Sequence, residues 1–168
     1  MIFIAHADGC FTWADSQVRC AVGKGGVVPA TAKREGDGAC PAGIWPLRRL
    51  LYRPDRLRPP VTGLPLAPLA PDDGWCDAPG DPNYNRPVKH PYPASAERMW
   101  REDGLYDLIV TLGYNDDPVV DGKGSAIFLH CASPTYGPTL GCVALATADL
   151  LDVLAAAKPG DALEIRID

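Results

Sequence analysis

His130 closes a short apolar run and Cys142 follows it twelve positions later, inside the stretch SAIFLHCASPTYGPTLGCVAL at residues 125–145. An imidazole beside a thiol makes a sulfur nucleophile at neutral pH: a free thiol ionises near about 8.5, and an adjacent imidazolium stabilises the thiolate. The pair meets if the run ending in His130 and the run after Cys142 are neighbouring strands, with Pro134, Gly137 and Pro138 turning the chain between them. The frame Thr139-Leu140-Gly141 precedes the thiol. Glycine there lets the backbone turn and a carbonyl approach closely, and the consecutive amides of Gly141 and Cys142 can form an oxyanion hole. The Thr139 hydroxyl can hold the turn by a local hydrogen bond. Packing roles stay open to both residues, since a histidine closing an apolar strand is often a satisfied core residue and a cysteine among Gly, Val and Ala is often simply buried.

The elements that must position this pair follow from pattern. MIFIA, CFTW and VRCAV, separated by turn residues, predict a three-stranded meander with Asp8-Gly9 as a hairpin turn. Gly23-Lys24-Gly25-Gly26 lacks the Lys-Ser or Lys-Thr of a phosphate-binding loop and reads as a turn-rich connection. Residues 33–38 alternate charge with glycine, which predicts an exposed loop, and residues 44–52 read as a strand interrupted near its start by Pro46. Arg48, Arg49 and Arg53 are expected on a solvated face, unless one of them forks onto a substrate carboxylate. Residues 54–93 are too rich in Pro, Gly, Asp and Asn for regular structure and too long for a simple connector. Trp75, Tyr84 and Tyr92 anchor them as an ordered excursion, which either walls a cleft, with Asp72, Asp73, Asn83, Asn85 and Arg86 as candidate lining groups, or is only a surface loop pinned by its aromatics. A short helix is predicted over 95–101, capped by Ser95 and stopped near Gly104, then a buried strand over 105–112 that delivers Tyr114 and Asn115 towards the site. A strand over 125–130, a helix capped by Thr147 and ended by Pro159-Gly160, and an alternating strand over 162–167 complete the chain. His90, between Lys89 and Pro91, competes as a base but reads as an exposed loop residue.

At 168 residues, 46% hydrophobic and 22% charged, the chain is expected to fold as one domain over residues 1–168. Its 18 Pro and 17 Gly predict short strands joined by long irregular connections. A net charge of −5 without a basic stripe argues against nucleic acid as a partner. No run approaches the roughly 20 apolar residues of a membrane helix, and MIFIAHADG has neither the basic segment nor the apolar core of a signal peptide. The six cysteines lie at no zinc-like spacing, so no metal and no cofactor is expected; Cys10 and Cys20 flank the hairpin, where a disulfide or two buried thiols are both open.

His130, the loop after it and Thr139-Leu140-Gly141-Cys142-Val143 resemble the signature of the YkuD-type L,D-transpeptidases, a His on one strand followed by Ser/Thr-x-Gly-Cys-Ile/Val-Arg. The segments KREGDGACPAGIWPLRRLLYRPDR, DDGWCDAPGDPNYNRPVKHPYPASAERMW and LGYNDDPVV resemble a proteobacterial branch of the same family, so the resemblance covers about residues 23–157. It implies a mostly β, sandwich- or barrel-like fold with two short helices and long ordered loops. It implies Cys142 as nucleophile, His130 as general base and the Gly141 and Cys142 amides as oxyanion donors, acting on peptidoglycan stem peptides in the periplasm or cell envelope. The implied reaction is attack on the carbonyl after an L-centre, followed by transfer to an amine of a second stem, giving a cross-link from the first or third donor residue; carbapenems would acylate the same thiol. Water as acceptor would make the enzyme a carboxypeptidase or endopeptidase, and loss of reactivity would leave a wall-binding domain. Two positions depart from the signature: Ala144 stands where the family has arginine, and Cys131 where it has glycine after the His. Arg48 or Arg86 could replace the missing cation, and Tyr114, Asn115, Trp75, Tyr84 and Asn85 are the other expected substrate contacts.

Overall fold

A computed structural model describes residues 1–167. β1 (Ile2–His6), β2 (Cys10–Trp13) and β3 (Ser16–Ala21) form the expected antiparallel meander. Gly9 takes φ +90° at the first turn, a conformation open to glycine at no steric cost. Cys10 and Cys20 are free thiols: the register sets Cys10 opposite Arg19, and Cys20 Sγ bonds the Cys10 carbonyl at 3.5 Å.

β5 (Cys40–Tyr52) is the seam of the molecule and starts four residues before the expected strand. Its first residues pair in parallel with β4 (Val27–Pro29), and its middle pairs antiparallel with β13 (Ala162–Arg166). Its last residues pair with β10 (Leu108–Leu112) and, in parallel, with β6 (Leu66–Pro68). Because β5 meets both β13 and β10, the sheet closes into a barrel. β10 continues through β11 (Phe128–Cys131), β12 (Val143–Leu145), β3, β2, β1 and β13 back to β5. Closure leaves these strands without free edges.

β1 and β13 alternate buried with partly exposed residues, as one-faced strands do. β10, β11 and β12 are buried throughout, because both of their faces are covered. Inside the barrel, Phe3, Leu50, Val110, Leu129, Val143 and Leu163 pack with Leu150, Val153 and Leu154 of α1 (Thr147–Ala156). Outside, a second cluster of Met99, Tyr106, Ile109, Phe128 and Cys142 lies under residues 54–105, with Trp75 and Trp100 packed against it. The excursion is therefore ordered, as its aromatic anchors predict, and it carries its own sheet of β7 (Asp73–Cys76), β8 (Pro87–Lys89) and β9 (Ala96–Arg98).

β9 replaces the helix expected over 95–101. Ser95 Oγ donates to Asp77 Oδ1 at 2.6 Å instead of capping amides, and residues 96–98 pair with β7, so a long-range ladder overrides the local signal. α1 is the one helix among the described residues. Ala146, not Thr147, is its N-cap, and no side chain caps the first turn.

Arg53 is a further correction. Expected on a solvated face, it is 2% exposed: Nε and Nη2 fork onto Asp55 at 2.9 Å, Nη1 donates to the Arg101 carbonyl, and the guanidinium lies 3.8 Å from the Trp100 ring centroid. Asp55 lies two residues away, so a turn rather than a distant element supplies the counter-charge. Arg53→Lys keeps the charge but neither the fork nor the planar stack. It is expected to cost about 2–3 kcal/mol, read as a lowered urea midpoint with unchanged slope.

Candidate active site

His130 and Cys142 line one cavity of about 750 Å³ on the outer face of β11 and β12. The period of two decides this: Leu129 and Cys131 point into the barrel, which turns Phe128 and His130 outward. β11 and β12 pair in parallel with His130 opposite Ala144, so the two neighbouring runs bring imidazole and thiol to one site.

The turn that presents the thiol is clamped. Thr139 Oγ1 donates to the Cys142 carbonyl at 2.6 Å and accepts the Gly141 amide at 3.1 Å, while Cys40 Sγ donates to the same carbonyl at 3.2 Å. The Gly141 amide, expected as an oxyanion donor, is thus turned onto Thr139. Gly141 itself is required: φ is +126°, and a Cβ there would lie 2.8 Å from the Ala39 carbonyl oxygen. The Gly23-Lys24 segment braces the turn from outside, with the Lys24 amide donating to the Thr139 carbonyl at 2.8 Å.

Cys142 Sγ accepts the Phe128 amide at 3.3 Å and donates to the Ala126 carbonyl at 3.1 Å. Burial pushes the thiol well above its ordinary range, with the charge of Glu97 adding to the shift and the Phe128 N–H opposing it. His130 Nδ1 donates to the Cys131 carbonyl at 2.8 Å, which leaves Nε2 as the basic nitrogen. The Tyr106 ring meets the imidazole edge-on at 5.2 Å. Burial drives His130 down to about 4, against the carbonyls of Cys131 and Leu105. The resting pair is therefore neutral thiol and neutral imidazole, not the ion pair that the sequence suggests.

Charged groups of both signs share the cavity: Lys24, Lys33 and Arg101 with Glu35, Asp77 and Glu97. Lys33 corrects the exposed-loop expectation for 33–38. It is 2% exposed, with Nζ on Asp37 at 2.6 Å and on the Arg34 carbonyl at 2.7 Å. Glu35 Oε2 accepts the hydroxyls of Tyr84 at 2.5 Å and Ser125 at 2.8 Å, fastening the strand entry beside the thiol. These residues escape sequence reading because they come from separate segments whose side chains converge only after the barrel closes.

None of the expected substrate contacts lines the cavity. Arg48 pairs with Asp116 at 2.8 Å on the outside, and Arg86 is exposed on the excursion. Ala144 and Arg101 both line the cavity, and Arg101 is the arginine there. Tyr114 donates its hydroxyl to the Lys123 carbonyl, and Asn115 Nδ2 bonds the carbonyls of Val120 and Gly124, so both fasten their own loop. Trp75 packs edge-on against Phe128 at 5.1 Å and donates to Asn85 Oδ1. Tyr84 accepts the Gly124 amide at 2.9 Å, and Asn85 accepts the Ala126 amide at 3.0 Å. Trp75, Tyr84 and Asn85 thus support the thiol's surroundings from behind. Asp72 and Asp73 pair with Lys89, and Asn83 bonds Tyr92. His90 is half-buried with Nε2 3.4 Å from the Glu97 carbonyl, outside the cavity. Cys131 packs in the barrel-core cluster and also borders the cavity of His130 and Cys142; among the described residues no group of three His, Cys, Asp or Glu could hold a metal ion.

A family model described as the L,D-transpeptidase catalytic domain, YkuD, matches residues 7–165. No curated protein and no solved structure matches the chain.

Proposed function

The chain belongs to the YkuD family of L,D-transpeptidase catalytic domains, and from that membership we propose that it is a cysteine acyltransferase that cross-links peptidoglycan stems in the cell envelope. No helix among the described residues is long and apolar enough to cross a membrane. The observation that carries the reading is the placement of Cys142 and His130 in one cavity, with the Phe128 N–H on the sulfur. In this reading His130 Nε2 takes the thiol proton as Sγ attacks the carbonyl after an L-centre of the donor stem. The Cys142 amide supports the oxyanion, with Thr139 and Gly141 holding the turn. The C–N bond then breaks, His130 returns the proton to the departing amine, and a thioester remains on Cys142. An amine of the second stem displaces the sulfur and yields a 3,3 or 1,3 cross-link; water in its place yields a trimmed stem. With Ala144 at the signature's arginine position, the guanidinium that borders the cavity is that of Arg101, which is paired with Asp103.

Incubation with defined muropeptides, followed by mass spectrometry, is expected to give a joined product whose fragments identify the bonded residue, and a carbapenem is expected to leave an adduct on Cys142. Products that require water alone identify the hydrolase. The burial of the thiol favours a second reading, a wall-binding domain with an inert cysteine. Failure of every donor and every carbapenem to mark Cys142 would end the first reading, and sedimentation of the protein with purified peptidoglycan would then establish the second.

A further inference from the structure

Glu97 shares the cavity with Cys142 and His130, yet forming the thioester gives it no task. It sits on β9 opposite Trp75, which places it on the excursion side of the site. Its Oε1 accepts the Tyr106 hydroxyl, and the Tyr106 ring is the one that meets His130. Its Oε2 has no protein donor among the described residues. Among the same residues no side-chain polar atom is both buried and unpartnered, so Oε2 keeps some exposure, on a residue that lines the cavity. No lysine or arginine forms an ion pair with Glu97 among the described residues; Arg101, a cavity-wall cation whose charge acts on Glu97, is held by Asp103. Burial raises the carboxyl above its ordinary range, the Tyr106 hydroxyl and Arg101 oppose the shift, and Asp77 and Glu35 add to it.

An amine that resolves a thioester arrives as an ammonium, since such groups ionise near about 10.4, and it must lose a proton before nitrogen can attack. His130 is a weak base here, driven down to about 4. Resting on the acyltransfer reading, the geometry points to Glu97 as the group that docks the acceptor's ammonium and takes its proton. The ammonium pairs with the carboxylate and gives it one proton. The freed lone pair forms the C–N bond at the thioester carbonyl, the C–S bond breaks with its electrons on Sγ, and the second nitrogen proton passes through His130 to the sulfur. An amide, a thiol and a protonated Glu97 result, and Glu97 returns its proton to solvent.

Glu97→Gln keeps an acceptor for the Tyr106 hydroxyl and removes the anion. Acylation of Cys142 by a tetrapeptide stem, followed by intact mass, is expected within about 3-fold of wild type, while transfer to a second stem bearing a free side-chain amine falls about 100-fold. Hydroxylamine, neutral at pH 7, is expected to resolve the acyl-enzyme of Glu97→Gln nearly as fast as that of wild type. Glu97→Ala is expected to show the same split. Unchanged transfer to the amine overturns the assignment; so does a parallel loss of acylation and transfer, which would make Glu97 a support for Tyr106 and His130. A wild-type protein that takes no acyl group sinks the parent reading, and this one with it.

Discussion

Cys142→Ser gives a folded protein that transfers no acyl group, a loss of roughly 10⁴-fold or more, and Cys142→Ala adds a stability loss of about 1–3 kcal/mol to the same defect. The difference comes from what the sulfur touches. Sγ accepts from the Phe128 amide and donates to the Ala126 carbonyl, both buried. Serine offers a donor and an acceptor at that place, whereas alanine leaves an N–H and a C=O without partners. Neither variant can form the acyl-enzyme. A hydroxyl gives up its proton far less readily than a thiol and is the weaker nucleophile at neutral pH, and alanine has neither group. Intact mass after exposure to donor or carbapenem reads the chemistry, and denaturant midpoints read the stability. An adduct on the serine variant, or full activity in either, removes Cys142 from the nucleophile's role.

The neutral pair also fixes the sign of the pH dependence. His130 accepts the thiol proton only while unprotonated, and its pKa falls from 6.5 to about 4 on folding. Acylation by wild type is therefore sustained as pH drops through 6.5 and declines only towards 4. Folding stability moves differently: the unfolded chain binds a proton that the folded site refuses, so this contribution is complete above 6.5 and is lost progressively as pH falls to 4. A rate profile and a stability profile on one sample should diverge across that window.

Local pattern carried the meander, β13 and the adjacency of the runs that end in His130 and follow Cys142, because alternation and turn residues act within a few positions of themselves. It failed at SAERMW, where a serine cap and helix-forming residues agree on a helix while the partner that decides, β7, lies about twenty residues upstream. It failed at Lys33 and Arg53 for another reason. A charge reads as solvated until its counter-charge is located, and Asp37 and Asp55 become partners only through turns that a sequence does not show. The cleft was expected to be walled by polar and aromatic side chains. The fold spends those groups on backbone amides and carbonyls, because the irregular loops must satisfy their own buried N–H and C=O groups. The cavity is left to residues drawn from separate segments, such as Glu35, Glu97 and Arg101.

Asn85 shows how much rests on one such group, and Asn85→Ala is expected to cost about 3–5 kcal/mol. The side chain is 6% exposed and fully engaged. Oδ1 accepts Trp75 Nε1 at 2.9 Å and the Ala126 amide at 3.0 Å, while Nδ2 donates to the carbonyls of Tyr114 at 3.2 Å and Asn115 at 2.7 Å. Alanine leaves two donors and two acceptors unmatched, and it must hold φ +54°, which asparagine tolerates better. Asn85→Asp keeps the two accepted bonds and that backbone, but sets a carboxylate oxygen against two carbonyls; about 2–3 kcal/mol is expected. Asn83 on the same excursion is exposed, and its side-chain amide bonds Tyr92, so Asn83→Ala should fall within about 0.5 kcal/mol of wild type. The two asparagines separate a loop that merely covers the barrel from one that holds the site. The Ala126 residue that Asn85 fixes is the one whose carbonyl takes the Cys142 thiol. Acylation of Cys142 in Asn85→Asp, measured where the protein remains folded, should accordingly slow about 10-fold, a loss of roughly 1.4 kcal/mol from the transition state. A variant that is destabilised yet acylates at the wild-type rate would show that the excursion serves stability alone.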